Sequence, residues 1–505
     1  MKSIKTNIPN YLKKYIIEQD YSSYSYIDHA CWRYIMKISI DFFARHADEI
    51  YTKGLSDTGI TKNKIPKIKS INKKLNKFGW RAVCVRGFIP PQIFMEFQSL
   101  KILPIAADMR SHKHLTYTPS PDIVHEAAGH APIIANKEYS KYLIDYGEVA
   151  SNAIISTEDM ELYYAIRDLS DIKENISATK YEIKKCENNL TKAYKNITYT
   201  SELSMLSRMN WWTVEYGLVG DLNSPKIYGA GLLSSVSESE NCYTKKVKKI
   251  SLDLNCTNYP YDITEQQPQL FVTPNYQYLR KVLKKLSKKM SYKIGGEHGI
   301  KTAIKAKTVC TIEIDSILQI SGIINNYYRN KNEIIFLKFI SPTQLSYNKK
   351  QIKGHGADYH SDGYSTPLGK IKQFNKSINN LNENEIKELN LIKNKITKIE
   401  FMKGIKLEGK VVNILKRSSE IILITFTNCA IIMDDKVLFD PSWGNFDLIC
   451  GQKITSVFGG PADKQNYYEH IEIEKQYTSK INQSIDHNLN FIYKKIEKIR
   501  SSKKG

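Results

Sequence analysis

Hydrophobic side chains follow one period through roughly the first 300 residues of this chain and a different one beyond them. In the first part apolar positions recur at helical spacing. Ile27 to Ile50 reads as an amphipathic helical stretch, followed by a basic turn region from Thr61 to Lys77. Between 152 and 205 two amphipathic helices are expected, the second marked by a 3-4-3 spacing of Ile183, Cys186, Leu190 and Ala193. A basic helix is expected near Tyr276 to Lys289. From about residue 307 the pattern changes to alternation, at Thr311 to Asp315, Ile334 to Phe339, Ile421 to Phe426 and Ala430 to Met433. Strands of this kind between glycine-rich turns predict a β-rich second domain. A Lys/Asn/Glu-rich stretch, Lys370 to Lys398, reads as a solvated helix or linker interrupting it, and Tyr467 to Arg500 reads as a basic helical tail.

Length and charge narrow the classes. A chain of 505 residues is too long for one ordinary domain, so two or three are expected. The formal charge of +22 invites a nucleic-acid reading. Lysine is spread through the chain together with isoleucine, asparagine and tyrosine, which points to AT-rich coding rather than a selected patch, so no nucleic-acid partner is expected. The eight cysteines have no CxxC or short paired spacing, and no apolar leader precedes them, which argues against a secreted disulfide framework. No run of about 18 apolar residues occurs, so no membrane span is expected. A reduced, cytoplasmic protein is the resulting expectation.

Candidate chemistry centres on Pro121-Asp122-Ile123-Val124-His125-Glu126-Ala127-Ala128-Gly129-His130. It resembles the HExxH of zinc peptidases, but the position four after His125 is Gly129, which cannot ligate. On an ideal helix His130 would point about 140° away from His125. The pair converges only if the helix ends or loosens in its last turn. Gly129 weakens the helix, and Pro132 is expected to push Ala131 out of the α region. Ser120 and Pro121 read as the N-cap and first-turn proline of a short helix over about 121–130. Glu215 is the best candidate for a third ligand. It is a lone carboxylate in the aromatic run Asn210 to Leu218, which ends at Gly217 in an expected left-handed C-cap. Two histidines and a carboxylate with open positions form the facial triad of non-heme iron(II) oxygenases.

Four ordered segments then resemble one family, the pterin-dependent aromatic amino acid hydroxylases. They are Asp108-Met109-Arg110 leading to Tyr117 through Asp122, the His125-to-His130 run, Trp211 to Leu218, and Tyr228 to Ser235. A weaker echo runs from Tyr261 to Pro268, and the likeness covers roughly residues 75 to 295. The resemblance implies a mainly α catalytic domain over 76–295 carrying the helical insertion 152–205. Around it are placed a helical N-terminal extension (1–75), a β-rich domain (300–465, with the linker 370–398) and a basic helical tail (466–505). It implies Fe(2+) on His125, His130 and Glu215, and a tetrahydropterin cofactor, tetrahydrobiopterin or a related reduced pterin. Arg110 would fork the substrate carboxylate, Thr118 and Ser234 would bond the amino acid's polar end, and Trp211 and Pro121 would flank its ring. Phe94 and Ile89 would line the pterin slot, Glu126 would sit beside pterin and iron, and Asp122 would orient an imidazole. The implied reaction is hydroxylation of a free aromatic amino acid with dioxygen and reduced pterin, phenylalanine to tyrosine being favoured over tryptophan or tyrosine as substrate. This sequence departs from the family at Pro104, Asn210 and Pro91, which leaves the pterin pose open.

Two rival readings stay open: a zinc metallopeptidase, and a catalytically dead protein whose C-terminal domain carries the function. One further stretch, Gly354 to Gly363, offers His355, Asp358, His360 and Asp362. It reads as a turn-rich loop rather than a second metal site, because nothing distant in sequence obviously completes a ligand set.

Overall fold

The Ser25 hydroxyl accepts from the Asp28 amide at 3.1 Å, and the Asp28 carboxylate accepts from the Ser25 amide at 2.7 Å. This reciprocal cap starts the long helix Tyr26–His46, which buries Ile27, Trp32, Ile35, Met36 and Phe43 along one face. In a computed structural model of the chain, the described residues are 8–87, 89–112, 115, 121–175, 177–263, 265–402, 404–469 and 486–502. Backbone contacts divide the chain into two compact units. The first comprises 1–151, 158–287 and 475–505, and the second 152–157 and 288–474.

In the first unit the amphipathic stretch expected over Ile27 to Ile50 is two helices, because Asp48 caps a new one, Glu49–Thr58, after the first ends at His46. Strands Arg81–Val85 and Ile102–Ala106 pair in parallel, joined through the helix Pro91–Ser99. The insertion forms Thr157–Glu174 and Lys180–Asn196. In the second of these Ala193 is buried and Ile183, Cys186 and Leu190 are half-buried on a largely exposed helix. Leu218–Val219 and Gln269–Thr273 are inner strands of a small four-stranded sheet. The tail helix His487–Ser502 returns to this unit, where Glu497 pairs with Arg33 at 3.0 Å and the Asn490 side chain accepts from the Tyr26 amide.

The second unit is built from antiparallel strands. A five-stranded sheet runs in the order Lys350–Gln351, Gln344–Tyr347, Leu318–Gly322, Cys310–Ile314, Ile454–Gly459. A long hairpin, Ile405–Arg417 with Glu420–Met433, carries the alternation to its full length. Phe446–Ile449 pairs with Glu420–Met433, setting Asp447 opposite Thr425. The segment Lys370 to Lys398 is not a solvated linker. Ile371, Ile378, Leu381, Leu389 and Leu391 are buried in the same apolar cluster as the hairpin. Its composition is polar because the inward-facing positions are few and spaced, with Ser377 and Thr397 buried among them. Among the described residues, no helix is long and apolar enough to cross a membrane.

Candidate active site

Val124–His130 winds as a π-helix and passes directly into the α-helix Ala131–Ile134. In a π-helix each amide bonds five residues back, so residues five apart come onto one face. That winding brings His125 and His130 together, and the helix loosens without ending. Ala131 stays in the α region with φ −59° and ψ −41°, and its amide reaches Glu126 O, five residues back. The wide turn accommodates Pro132 without the break that proline usually forces. The start differs too: the turn opens at Ile123 with no side-chain cap on it, the Asp122 carboxylate accepts from the His125 amide at 3.0 Å, and Ser120 lies outside the described residues.

Gly129 has a spatial role here. A Cβ on it would lie 2.8 Å from the Ala230 carbonyl oxygen, so the glycine lets the π-helix approach the short helix Ala230–Leu233. A second π turn, Trp211–Glu215, follows the α-helix Glu202–Asn210 and delivers Glu215 to the same place. Gly217 is not the left-handed cap expected of it, since its φ is not positive. It is needed for space, because a Cβ there would sit 2.1 Å from Thr213 O.

The three candidate ligands meet. His125 Nε2 lies 3.2 Å from His130 Nε2 and 3.3 Å from one Glu215 oxygen, while His130 Nε2 lies 3.4 Å from the other. Donors each about 2.1 Å from one ion, at angles between octahedral and tetrahedral, are separated by about 3.0–3.4 Å. The Ser234 hydroxyl fixes the His125 tautomer. It donates to Ala230 O at 2.8 Å and therefore accepts from His125 Nδ1–H at 3.0 Å, leaving the Nε2 lone pair free to ligate. Burial would raise the Glu215 pKa, but the two imidazoles facing it hold the carboxylate well below its ordinary range.

Arg110 and Asp122 form a buried pair. Nε and one terminal nitrogen of Arg110 donate to the two Asp122 oxygens at 2.7 and 2.9 Å, and the other terminal nitrogen donates to Ser234 O at 3.0 Å. Sequence reasoning gives Asp122 the task of orienting an imidazole. In the structure that task falls to Ser234, which sequence reasoning had placed on the substrate, and Asp122 holds Arg110 and the start of the π-helix. Glu126 is buried, and one of its oxygens has no hydrogen-bond partner. Burial pushes its pKa up to about 8, against the pull of the nearby His130 ring. The Phe94 ring lies 6.5 Å from that of His130, and Ile89 packs with Ile93 and Phe97. Trp211 stacks on Tyr216 and Tyr261 and donates to Gln267 at 3.2 Å. Tyr261 and Gln267 belong to the weak Tyr261-to-Pro268 echo, and only their packing reveals the role. Pro121 is half-buried ahead of Asp122, and Thr118 lies outside the described residues.

A family model described as biopterin-dependent aromatic amino acid hydroxylase matches residues 5–200 and 198–302, more than half of the chain. The chain belongs to that family. Among curated relatives of this hydroxylase, the phenylalanine-4-hydroxylase of Chromobacterium violaceum is 27% identical over 268 residues, covering 52% of this chain and 75% of its own. That of Pseudomonas aeruginosa is 26% identical over 258 residues, covering 51% and 81%. Among solved structures, a phenylalanine hydroxylase of Chromobacterium violaceum matches with a TM-score of 0.42 at 26% identity, over 55% of this chain and 86% of that one. Another from that organism, with bound iron(III) and 7,8-dihydrobiopterin, matches with a TM-score of 0.42 at 24% identity, over 55% and 88%. The family match to the hydroxylase stops at residue 302, so most of the β-rich unit lies beyond it.

Proposed function

We propose that this hydroxylase holds one iron(II) ion on His125, His130 and Glu215 and uses a reduced tetrahydropterin to convert phenylalanine to tyrosine. The observation that carries the metal assignment is the convergence of two imidazole Nε2 atoms, 3.2 Å apart, on one carboxylate, with one Glu215 oxygen 3.3 Å from His125 and the other 3.4 Å from His130, and with the His125 tautomer set for ligation by Ser234. Nitrogen and carboxylate donors in a 2:1 ratio suit iron(II) and leave positions open. Iron and pterin together supply the activation of dioxygen.

The chain's own residues bind, orient and shield. The unpartnered Glu126 oxygen is a buried polar atom open to a hydrogen bond, which suits the polar ring edge of a pterin beside the metal. Phe94, near His130, offers that ring a face, and Ile89 an apolar wall. A guanidinium has five N–H donors, of which Arg110 commits two to Asp122 and one to Ser234. The remaining two, one on each terminal nitrogen, are the number that a substrate α-carboxylate needs for a forked contact. Trp211, fixed between its tyrosine partners and Gln267, and Pro121 supply the apolar walls for the aromatic ring.

Turnover of the purified, iron-loaded chain with tetrahydrobiopterin and each of phenylalanine, tyrosine and tryptophan tests the substrate choice. Tyrosine formed from phenylalanine, at the highest kcat/KM of the three, is the expected product. A higher kcat/KM for tryptophan or tyrosine would reassign the substrate, and chelator-sensitive peptide cleavage without pterin oxidation would replace the reaction class.

A further inference from the structure

The turn-rich loop from Gly354 to Gly363 does have a distant partner. Asp447, on the strand Phe446–Ile449, brings a carboxylate to His355 and His360, so the second unit contains its own cluster of two imidazoles and one carboxylate. We propose that these three residues form a second metal site, taking a borderline divalent ion of the Zn2+ class. The site lies in the unit mostly beyond the family match and does not depend on the hydroxylase reading.

Spacing is the first reason. His355 Nδ1 is 3.4 Å from His360 Nε2, and Asp447 Oδ2 is 3.8 and 4.0 Å from the two nitrogens. Hydrogen bonds between such groups fall at about 2.7–3.2 Å, so neither imidazole satisfies the carboxylate directly. Donors about 2.1 Å from a tetrahedral ion stand about 3.4 Å apart, and a small inward movement of Asp447 completes that geometry.

Orientation is the second. Asp447 turns Oδ2 toward both rings while its other oxygen, Oδ1, accepts from the Thr425 hydroxyl at 2.6 Å. A carboxylate with one oxygen pinned and the other directed at two imidazoles is the arrangement that outer hydrogen bonds give to metal ligands. The backbone holds the rings in place as well. Leu345 donates to His355 O at 2.9 Å and Thr343 donates to His360 O at 3.0 Å, fastening both histidines to the strand Gln344–Tyr347 and its approach. The Tyr364 hydroxyl donates to Asp447 O at 2.7 Å.

Burial and donor type narrow the ion. The side chains of His355, His360 and Asp447 are 12%, 8% and 1% exposed, so the carboxylate is nearly sealed while the His355 edge stays accessible. A buried carboxylate without a full counter-charge is costly, and a divalent cation removes that cost. Two nitrogens and one oxygen disfavour Ca2+ and Mg2+, which require oxygen shells, and suit Zn2+ and its neighbours. Three protein ligands leave a fourth position for water or an exogenous group.

The experiment uses the tag-free full chain carrying Glu215→Ala, which disables the first centre, and titrates the chelator-stripped protein with Zn2+ alone. One Zn2+ per chain is expected. Adding Asp447→Asn should raise the dissociation constant at least tenfold, and adding Thr425→Val should weaken binding about 10- to 100-fold. Circular dichroism of each variant without metal checks the fold; if Asp447→Asn does not fold, His360→Gln makes the same comparison. A Glu215→Ala chain that binds no Zn2+, or binds it equally well in folded Asp447→Asn and His360→Gln variants, would overturn the proposal.

Discussion

The Ser234 hydroxyl accepts a hydrogen bond from Nδ1 of His125 at 3.0 Å while donating its own proton to Ala230 O. The link decides which imidazole nitrogen is available to a metal. It also joins the helix that carries two of the proposed ligands, His125 and His130, to the segment Tyr228 to Ser235. Replacing Ser234 by Ala frees the ring. Iron affinity should fall about 10- to 100-fold with little change in far-ultraviolet dichroism, as read by competition with a chelator. Unchanged iron affinity with only a raised KM for the amino acid would return Ser234 to the substrate.

Arg110 and Asp122 are both buried, with side chains 1% and 3% exposed. Asp122→Ala leaves a guanidinium without its partner and removes the acceptor for the His125 amide. Breaking a buried pair of this kind costs about 3–5 kcal/mol. Denaturant unfolding should show a loss of that order, with iron retention also impaired. Arg110→Lys keeps a charge but not the fork, so KM for the amino acid should rise more than kcat falls. A variant with unaltered KM would leave Arg110 only the task of holding Asp122.

Gly129→Ala places a methyl group 2.8 Å from the Ala230 carbonyl oxygen, a backbone atom that cannot swing aside. The π-helix must shift, and overpacking of this kind costs about 1–3 kcal/mol. Iron content per chain should fall along with the melting temperature. Full iron content in the variant would show that the close approach of the two helices is not needed for ligation.

Glu238 supplies a pH dependence away from the metal ligands. Burial raises its pKa from 4.5 to about 7, a backbone bond from Gln267 offsetting part of the rise. The folded state therefore keeps a proton that the unfolded state has already lost. The stability associated with this group is complete below pH 4.5 and is lost as pH rises through about 7. Glu238→Gln, which stays neutral throughout, should gain stability relative to the parent between pH 5 and pH 8, measured as the difference in denaturant midpoint. Parallel midpoints across that range would contradict the shifted pKa.

Much of the hydroxylase centre is legible in the sequence, and what is not has specific causes. His125, His130 and Glu215 stand out because each is a ligating residue in an apolar run, and the misfit between their spacing and an ideal helix already requires loosened winding. The form of that winding depends on which carbonyl each amide selects, and residue types do not record this choice. The His125 imidazole meets the Ser234 hydroxyl and not the Asp122 carboxylate, which holds Arg110, since a hydroxyl and a carboxylate close to the same imidazole are distinguished only by distance. In the β-rich unit, alternation announces Ile405–Arg417 and Glu420–Met433. Asp447 and the His355–His360 loop meet through the pairing of Phe446–Ile449 with the second of those strands and the backbone bonds that fasten the loop to Thr343 and Leu345. Sheet register of that range lies beyond any local pattern.

Iron bound per chain in the parent and in Glu215→Ala, measured together with tyrosine formed from phenylalanine and tetrahydrobiopterin, tests the three-ligand centre most directly. The parent should retain about one iron at this centre and form tyrosine, and the variant should lose both, since two imidazoles alone leave the facial set incomplete. A Glu215→Ala chain that keeps its iron and its turnover would contradict the assignment.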